Sequence, residues 1–173
     1  TRFINFTGSK AIGCRIDEHA AKISKGQKWI KRVVAEMGGK NAIIVDSSAN
    51  IKKAAQGIAS SAFTFQGQKC SACSRAIVMS DVYDELVDAV VEEAKKLKAD
   101  QGAGRDNAAI GPVINQNAYN NITSYIEVGR KEGTIVYGGT YSDEKGYFVD
   151  PTVIRDIKRD ARIANEEIFG PVL

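Results

Sequence analysis

Histidine is almost absent from this sequence: its 173 residues include one histidine, one tryptophan, two methionines, three prolines and three cysteines. A single imidazole supplies no histidine-dependent nucleophile unless His19 itself serves, and His19 stands among Asp17, Glu18 and Lys22, where it reads as a solvated helix residue. The cysteines, Cys14, Cys70 and Cys73, are odd in number and too few for a disulfide framework, which fits a reducing, cytoplasmic setting. Cys70 and Cys73 share a Cys-x-x-Cys spacing, but no second pair exists to complete a zinc site, so no metal is expected. No run approaches the roughly 18 apolar residues that span a bilayer, and the start carries no charged flank followed by an apolar stretch and a cleavage site. Charge of one sign is lacking too. Lys and Arg number 24 against 21 Asp and Glu, a net charge of +3, and the basic residues are dispersed through acidic ones. Neither a nucleic-acid-tracking surface nor a membrane partner is indicated.

What is present suits a soluble globular chain. Hydrophobic residues make up 43% and charged ones 26%, enough for a real core in one compact domain or slightly more. The chain opens directly in a strand-like segment and stops just after an apolar turn motif at Val172-Leu173, so both ends are expected to be cuts.

Periodicity outlines an α/β fold with a mainly parallel sheet flanked by helices. Arg2 to Phe6 reads as a strand, and Ala11, Ile12, Ile16, Ala20 and Ile23 recur at helical spacing after Thr7-Gly8-Ser9. A second strand is expected over Trp29 to Val34, entering the glycine turn at Gly38-Gly39. Ala42 to Val45 is a short buried strand, followed by an amphipathic helix from Ile51 that ends near Gly67. A strand over Arg75 to Met79 leads to a helix beginning at Asp81, whose apolar face carries Leu86, Val87, Val90, Val91, Ala94 and Leu97. Asp100 to Gly111 reads as a loop, about Asn115 to Glu132 as a helix, and Thr134 to Tyr137 as a strand. A Gly138-Gly139 turn and an extended piece from Tyr147 to Ile154 complete the outline.

Chemistry concentrates in a few places. Cys70 lies in a glycine-containing loop between a helix and a strand, with Lys69 beside it and backbone N–H groups nearby, a setting that favours a nucleophilic thiolate. The same residues also allow Cys70 and Cys73 to be two small buried hydrophobes. With no imidazole in reach, a base must be a carboxylate, and Glu36, between Val33-Val34-Ala35 and Met37-Gly38-Gly39, sits where desolvation could make it one. Gly8 and Ser9 at a strand-to-helix turn could meet a phosphate or serve only as a helix cap. Glu166-Glu167-Ile168-Phe169-Gly170-Pro171 places a carboxylate, an aromatic ring and a rigid turn together.

Taken in order, Phe6-Thr7-Gly8-Ser9, Glu36-Met37-Gly38-Gly39-Lys40, Gly67-Gln68-Lys69-Cys70 and Glu166 to Pro171 resemble the signature segments of the aldehyde dehydrogenase superfamily, over essentially the whole chain. The 34-residue step from Glu36 to Cys70 matches that family's spacing. Within it, the segments around Glu36 and Cys70 look most like the branch that oxidises 1-pyrroline-5-carboxylate, as glutamate semialdehyde, to glutamate in proline and arginine catabolism.

The resemblance implies a catalytic-domain fold of that family, with residues 1–39 the last piece of the cofactor-binding domain and 40–173 most of the catalytic domain. By the same resemblance Cys70 attacks the aldehyde, hydride passes to a nicotinamide cofactor, and Glu36 activates the water that hydrolyses the resulting thioester. The Cys70 N–H forms part of the oxyanion hole. Gly8, Ser9, Glu167 and Phe169 contact the cofactor, NAD with NADP not excluded, and Ser71 helps bind the substrate's carboxylate. Cys14 and Cys73 are read as structural. The parent is expected to be a homo-oligomer acting on a small-molecule aldehyde. Family elements for the adenosine ribose, the oxyanion asparagine and the substrate-anchoring loop are not in the sequence, so the chain alone is expected to be inactive. Two rival readings remain: a dehydrogenase for another aldehyde, and a non-enzymatic dithiol or interaction module using Cys70 and Cys73.

Overall fold

The computed structural model describes residues 1–99 and 108–173, with the side chains of residues 98, 99, 108 and 109 outside the description. It falls into two compact units, Thr1–Gly39 and Lys40–Leu173.

The first unit is a strand, helix, strand crossover: β1 (Phe3–Thr7), α1 (Lys10–Ala21) and β2 (Arg32–Glu36). The strands run parallel, pairing Phe3 with Arg32 through Thr7 with Glu36. Ile4, Phe6, Val33 and Ala35 turn to the half-buried face, as strand alternation requires. Ser9 caps α1, its side-chain oxygen accepting from the Ile12 N–H. β2 begins later than the expected Trp29, because Trp29 is taken up by the Arg2 guanidinium, 3.7 Å over its ring, and by Gln27 Nε2, which donates to its carbonyl. Cys14, expected to be structural, is exposed on α1.

The second unit opens with β3 (Asn41–Val45), α2 (Ile51–Phe63) and β4 (Cys73–Val78), a second parallel pair joined through a helix. Asn50 caps α2 by accepting from the Lys53 N–H. α3 (Tyr83–Lys95) follows, then β5 (Lys98–Ala99) and β6 (Ala108–Ile110), also parallel, so the expected loop from Asp100 ends in a strand, while residues 100–107 lie outside the described residues. α4 (Gln116–Glu132), capped by Asn115, leads to β7 (Thr134–Tyr137), β8 (Tyr141–Ser142), β9 (Phe148–Val149), β10 (Val153–Arg155) and the short α5 (Arg162–Asn165). β7 with β10 and β8 with β9 are antiparallel, which leaves parallel pairing in the majority among the described strands.

Two apolar clusters hold this unit together. Phe63, Ile58 and Val45 pack with Leu86, Val90 and Ile110 beneath β3 and β4, and Ile122 and Ile126 of α4 pack with Val149, Ile154 and Ile168. Burying each of these larger side chains contributes about 1.5–3 kcal/mol relative to exposure. The other face of the β3–β4 pair is wetter: the register partners Ile44 and Ile77 are 76% and 51% exposed.

Two boundaries differ from the sequence expectation for local reasons. α3 begins at Tyr83 after a single 3-10 turn, because the Asp81 carboxylate accepts from Ser47 Oγ at 2.9 Å instead of capping the helix. α2 stops at Phe63, and the residues up to Gly67 form a separate tight turn.

Candidate active site

The nucleophile candidate follows directly on a strained turn. Phe65, Gln66 and Gly67 all have positive φ, at 54°, 57° and 64°. For Phe and Gln this left-handed backbone costs about 1–2 kcal/mol each, strain of the kind found at functional sites. The turn is closed by the Gln68 N–H donating to the Phe65 carbonyl, and a second turn follows at once, closed by the Ala72 N–H donating to Lys69. Cys70 and Ser71 occupy the centre of that second turn, and both are exposed.

Several side chains hold these turns in place. Gln68 Oε1 accepts from the Ile114 N–H at 3.1 Å. With its amide turned to satisfy both ends, Gln66 accepts from the Gly111 N–H at 2.7 Å and donates to the Phe65 carbonyl. Asn41 Nδ2 donates to the carbonyls of Cys70 (2.7 Å) and Ala72 (3.3 Å), tying the start of β3 to the turn that holds Cys70. Lys69, expected to favour the thiolate, has its ammonium held at Thr64 Oγ1, 3.0 Å away, and Thr64 in turn donates to the Ser60 carbonyl. Cys73 is buried at the start of β4, its Sγ donating to the Arg75 carbonyl, and burial pushes its thiol pKa up. It is a free, buried cysteine beside an exposed one.

The left-handed turn just before Cys70 packs against the segment bearing Glu167 and Phe169. A Cβ on Gly67 would lie 2.6 Å from the Gly170 carbonyl carbon and 2.8 Å from the Ala62 carbonyl oxygen. Phe169 is itself left-handed, with φ 56°, and 42% exposed; Glu167 is exposed two residues before it. The adjacent Glu166 is committed elsewhere, accepting from Tyr125 Oη (2.5 Å) and Arg162 Nε (2.7 Å). Both bonds favour its ionised form and lower its pKa.

Gly8, Ser9 and Glu36 come together in the first unit, at the C-terminal ends of β1 and β2, where the Gly8 N–H donates to the Glu36 carbonyl at 3.0 Å. The apolar surroundings expected for Glu36 do not form there, because β2 points its side chain to the exposed face.

A cavity of about 530 Å³ is lined by Lys40, Arg75, Tyr83, Ile154, Ile168 and Leu173 among others, and not by Cys70, Ser71, Glu167 or Phe169. Arg75 spans its wall, donating to the carbonyls of Lys40 and Ala164. The Lys40 ammonium is buried without a hydrogen-bond partner among the described residues. Burial, and then the Arg75 charge, lower its pKa to about 8, with Glu167 and Cys73 acting in the opposite sense.

The sequence reading missed Asn41, Gln66, Thr64, Tyr125 and Glu166. Only Glu166 carried a signal, as the neighbour of a named glutamate; Asn41, Gln66 and Tyr125 bond to partners far along the chain, and Thr64 bonds to Ser60 and Lys69 only once the turn between them has formed.

The family model for the aldehyde dehydrogenase family matches residues 1–173. The chain is 56% identical over its whole length to a protein of Geobacillus sp. (strain WCH70) named 1-pyrroline-5-carboxylate dehydrogenase, and 51% identical to one of the same name from Bacillus subtilis (strain 168). In each case it covers 33% of the relative, so the chain spans about a third of the length of these curated relatives. Among solved structures, 1-pyrroline-5-carboxylate dehydrogenase from Thermus with bound NAD matches with TM-score 0.93 and 46% identity, over 99% of this chain and 33% of that one. Proline utilization A from Bdellovibrio bacteriovorus matches with TM-score 0.94 and 44% identity, over 100% of this chain and 18% of that one. With its signature segments matched from end to end and its fold shared with solved members, the chain belongs to the aldehyde dehydrogenase family.

Proposed function

We propose that this chain carries the nucleophile and part of the cofactor contacts of a 1-pyrroline-5-carboxylate dehydrogenase, which oxidises glutamate semialdehyde to glutamate. The observation that carries the reading is the exposed Cys70, in the turn that directly follows the left-handed Phe65–Gly67 turn, whose Gly67 packs against Gly170 beside Glu167 and Phe169. In this reading residues 1–39 belong to the cofactor-binding domain and 40–173 to the catalytic domain.

The nicotinamide end of NAD fits the residues present: an exposed aromatic ring at Phe169 and an exposed carboxylate at Glu167. Phe169 would pack beside the ring and Glu167 would accept from the ribose hydroxyls, with Gly8 and Ser9 at the phosphate side. When bound, the cofactor supplies the two-electron acceptor that turns the Cys70 adduct into a thioester. Cys70 Sγ forms the C–S bond to the aldehyde carbon, its own N–H facing the oxygen that gains charge. Ser71 offers a hydroxyl to the substrate's carboxylate. Glu36 takes a proton from water, whose oxygen attacks the acyl carbon; the C–S bond breaks, releasing glutamate and the thiolate. The cytoplasmic setting is supported by three free cysteines, and homo-oligomerisation rests on the family resemblance alone.

The test uses the intact gene product that carries this sequence. Cys70→Ala is expected to lower turnover of glutamate semialdehyde by at least about a thousandfold. Glu36→Gln is expected to accumulate a Cys70-linked acyl adduct visible by mass spectrometry. Retained activity in Cys70→Ala, or equal efficiency on glutamate semialdehyde and a neutral aliphatic aldehyde, would refute the reading.

A further inference from the structure

Three polar side chains lie along one stripe of α4 and hold the segment 162–168. Asn121 Nδ2 donates to the Ile168 carbonyl (3.2 Å), Tyr125 Oη donates to Glu166 Oε2 (2.5 Å), and Glu132 accepts from the N–H groups of Arg162 and Ile163 (3.0 Å each). Steps of four and seven residues return close to the same helical face, so the stripe runs along the helix axis. The residues immediately before and after Glu167 are therefore both fastened to α4, while Glu167 between them is exposed. Arg162 reinforces the first tether: its Nε donates to Glu166 Oε2 at 2.7 Å, and its guanidinium lies 4.9 Å over the Tyr125 ring. Beneath them Ile168 and Ile122 are buried, so this segment rests on packed core.

We propose that Glu166 is a positioning residue, held by Tyr125 and Arg162, that sets where Glu167 stands and thereby the affinity for a nicotinamide-bearing dinucleotide. The adjacent glutamates divide the work: one is the anchor and the other faces the ligand. Backbone direction supports this, because Glu166 is extended, with φ −95° and ψ 144°, so neighbouring side chains alternate and Ile168 points into the core as Glu166 points to Tyr125. The proposal rests on the reading of Glu167 as a cofactor contact.

The experiment measures dissociation constants of the intact gene product for NAD and for ADP, which lacks the nicotinamide ribose, by titration calorimetry. Tyr125→Phe removes one hydroxyl with little change in shape, and Glu166→Gln weakens both tethers. Each is expected to weaken NAD binding about tenfold and to leave ADP binding and the rate of Cys70 alkylation by iodoacetamide unchanged. A general loss of structure would weaken both ligands alike, and that outcome overturns the proposal, as does NAD binding unaltered in Tyr125→Phe and Glu166→Gln while Glu167→Gln weakens it. NAD binding unaltered in Glu167→Gln overturns the proposal together with the reading beneath it.

Discussion

Gly67 meets Gly170 backbone to backbone, with no room for a side chain between them. The left-handed turn just before Cys70 is thereby fixed against the segment that carries Glu167 and Phe169.

Gly67→Ala must place a methyl group on Gly170 at a residue whose φ is 64°. Left-handed strain and overpacking together are expected to cost about 2–4 kcal/mol of unfolding free energy. Urea denaturation of the variant checks this; a loss below about 1 kcal/mol would show that the two turns separate easily.

Thiol labelling should follow exposure. Cys14 and Cys70 are exposed and Cys73 is buried, with its pKa raised by desolvation. Under native conditions iodoacetamide is expected to modify the first two and to reach Cys73 only in denaturant, as read by peptide mass spectrometry. Comparable native labelling of Cys73, with a reversible Cys70–Cys73 disulfide, would favour a dithiol module.

Asn41→Ala removes the donor shared by the carbonyls of Cys70 and Ala72. A loss of about 1 kcal/mol in stability is expected, together with faster proteolysis within residues 64–72. An unchanged cleavage pattern would mean that the glutamine contacts alone hold the turn.

Lys40 gives a pH-dependent outcome. Its pKa is lowered to about 8, so the folded chain holds this proton less tightly than the unfolded chain does. The cost of the buried charge is full below about pH 8 and is relieved as pH rises toward 10.5, the ordinary lysine value. Lys40→Met should therefore melt above the parent at pH 7, with the gap narrowing from pH 8 to 10. A gap independent of pH would trace the effect to packing alone.

Much of the architecture was legible because it follows from short-range rules. The helix at Ile51 announces itself through its apolar stripe, and β2 through alternation. The start of α3 was misplaced because Asp81, a good cap in isolation, bonds to Ser47 from another part of the chain. The site was legible as a set of motifs, since Cys70, Glu36 and Glu167 stand in recognisable strings. Its supports were not. Nothing local in Tyr125 foretells a bond to Glu166, 41 residues on, and nothing in Gln68 foretells a bond to Ile114. Desolvation of Glu36 was misread from apolar neighbours in sequence, because along a strand the neighbours of a residue point to the opposite face.

The wet face of the β3–β4 pair bears on handling at the bench. Ile44 and Ile77 are side by side, and Met79 nearby is 50% exposed, so adjoining apolar area faces solvent. Such a face adsorbs dyes, plastic and other molecules of its own kind. Dilute, cool samples will report the chain's intrinsic properties, whereas concentrated ones will report its colloidal chemistry.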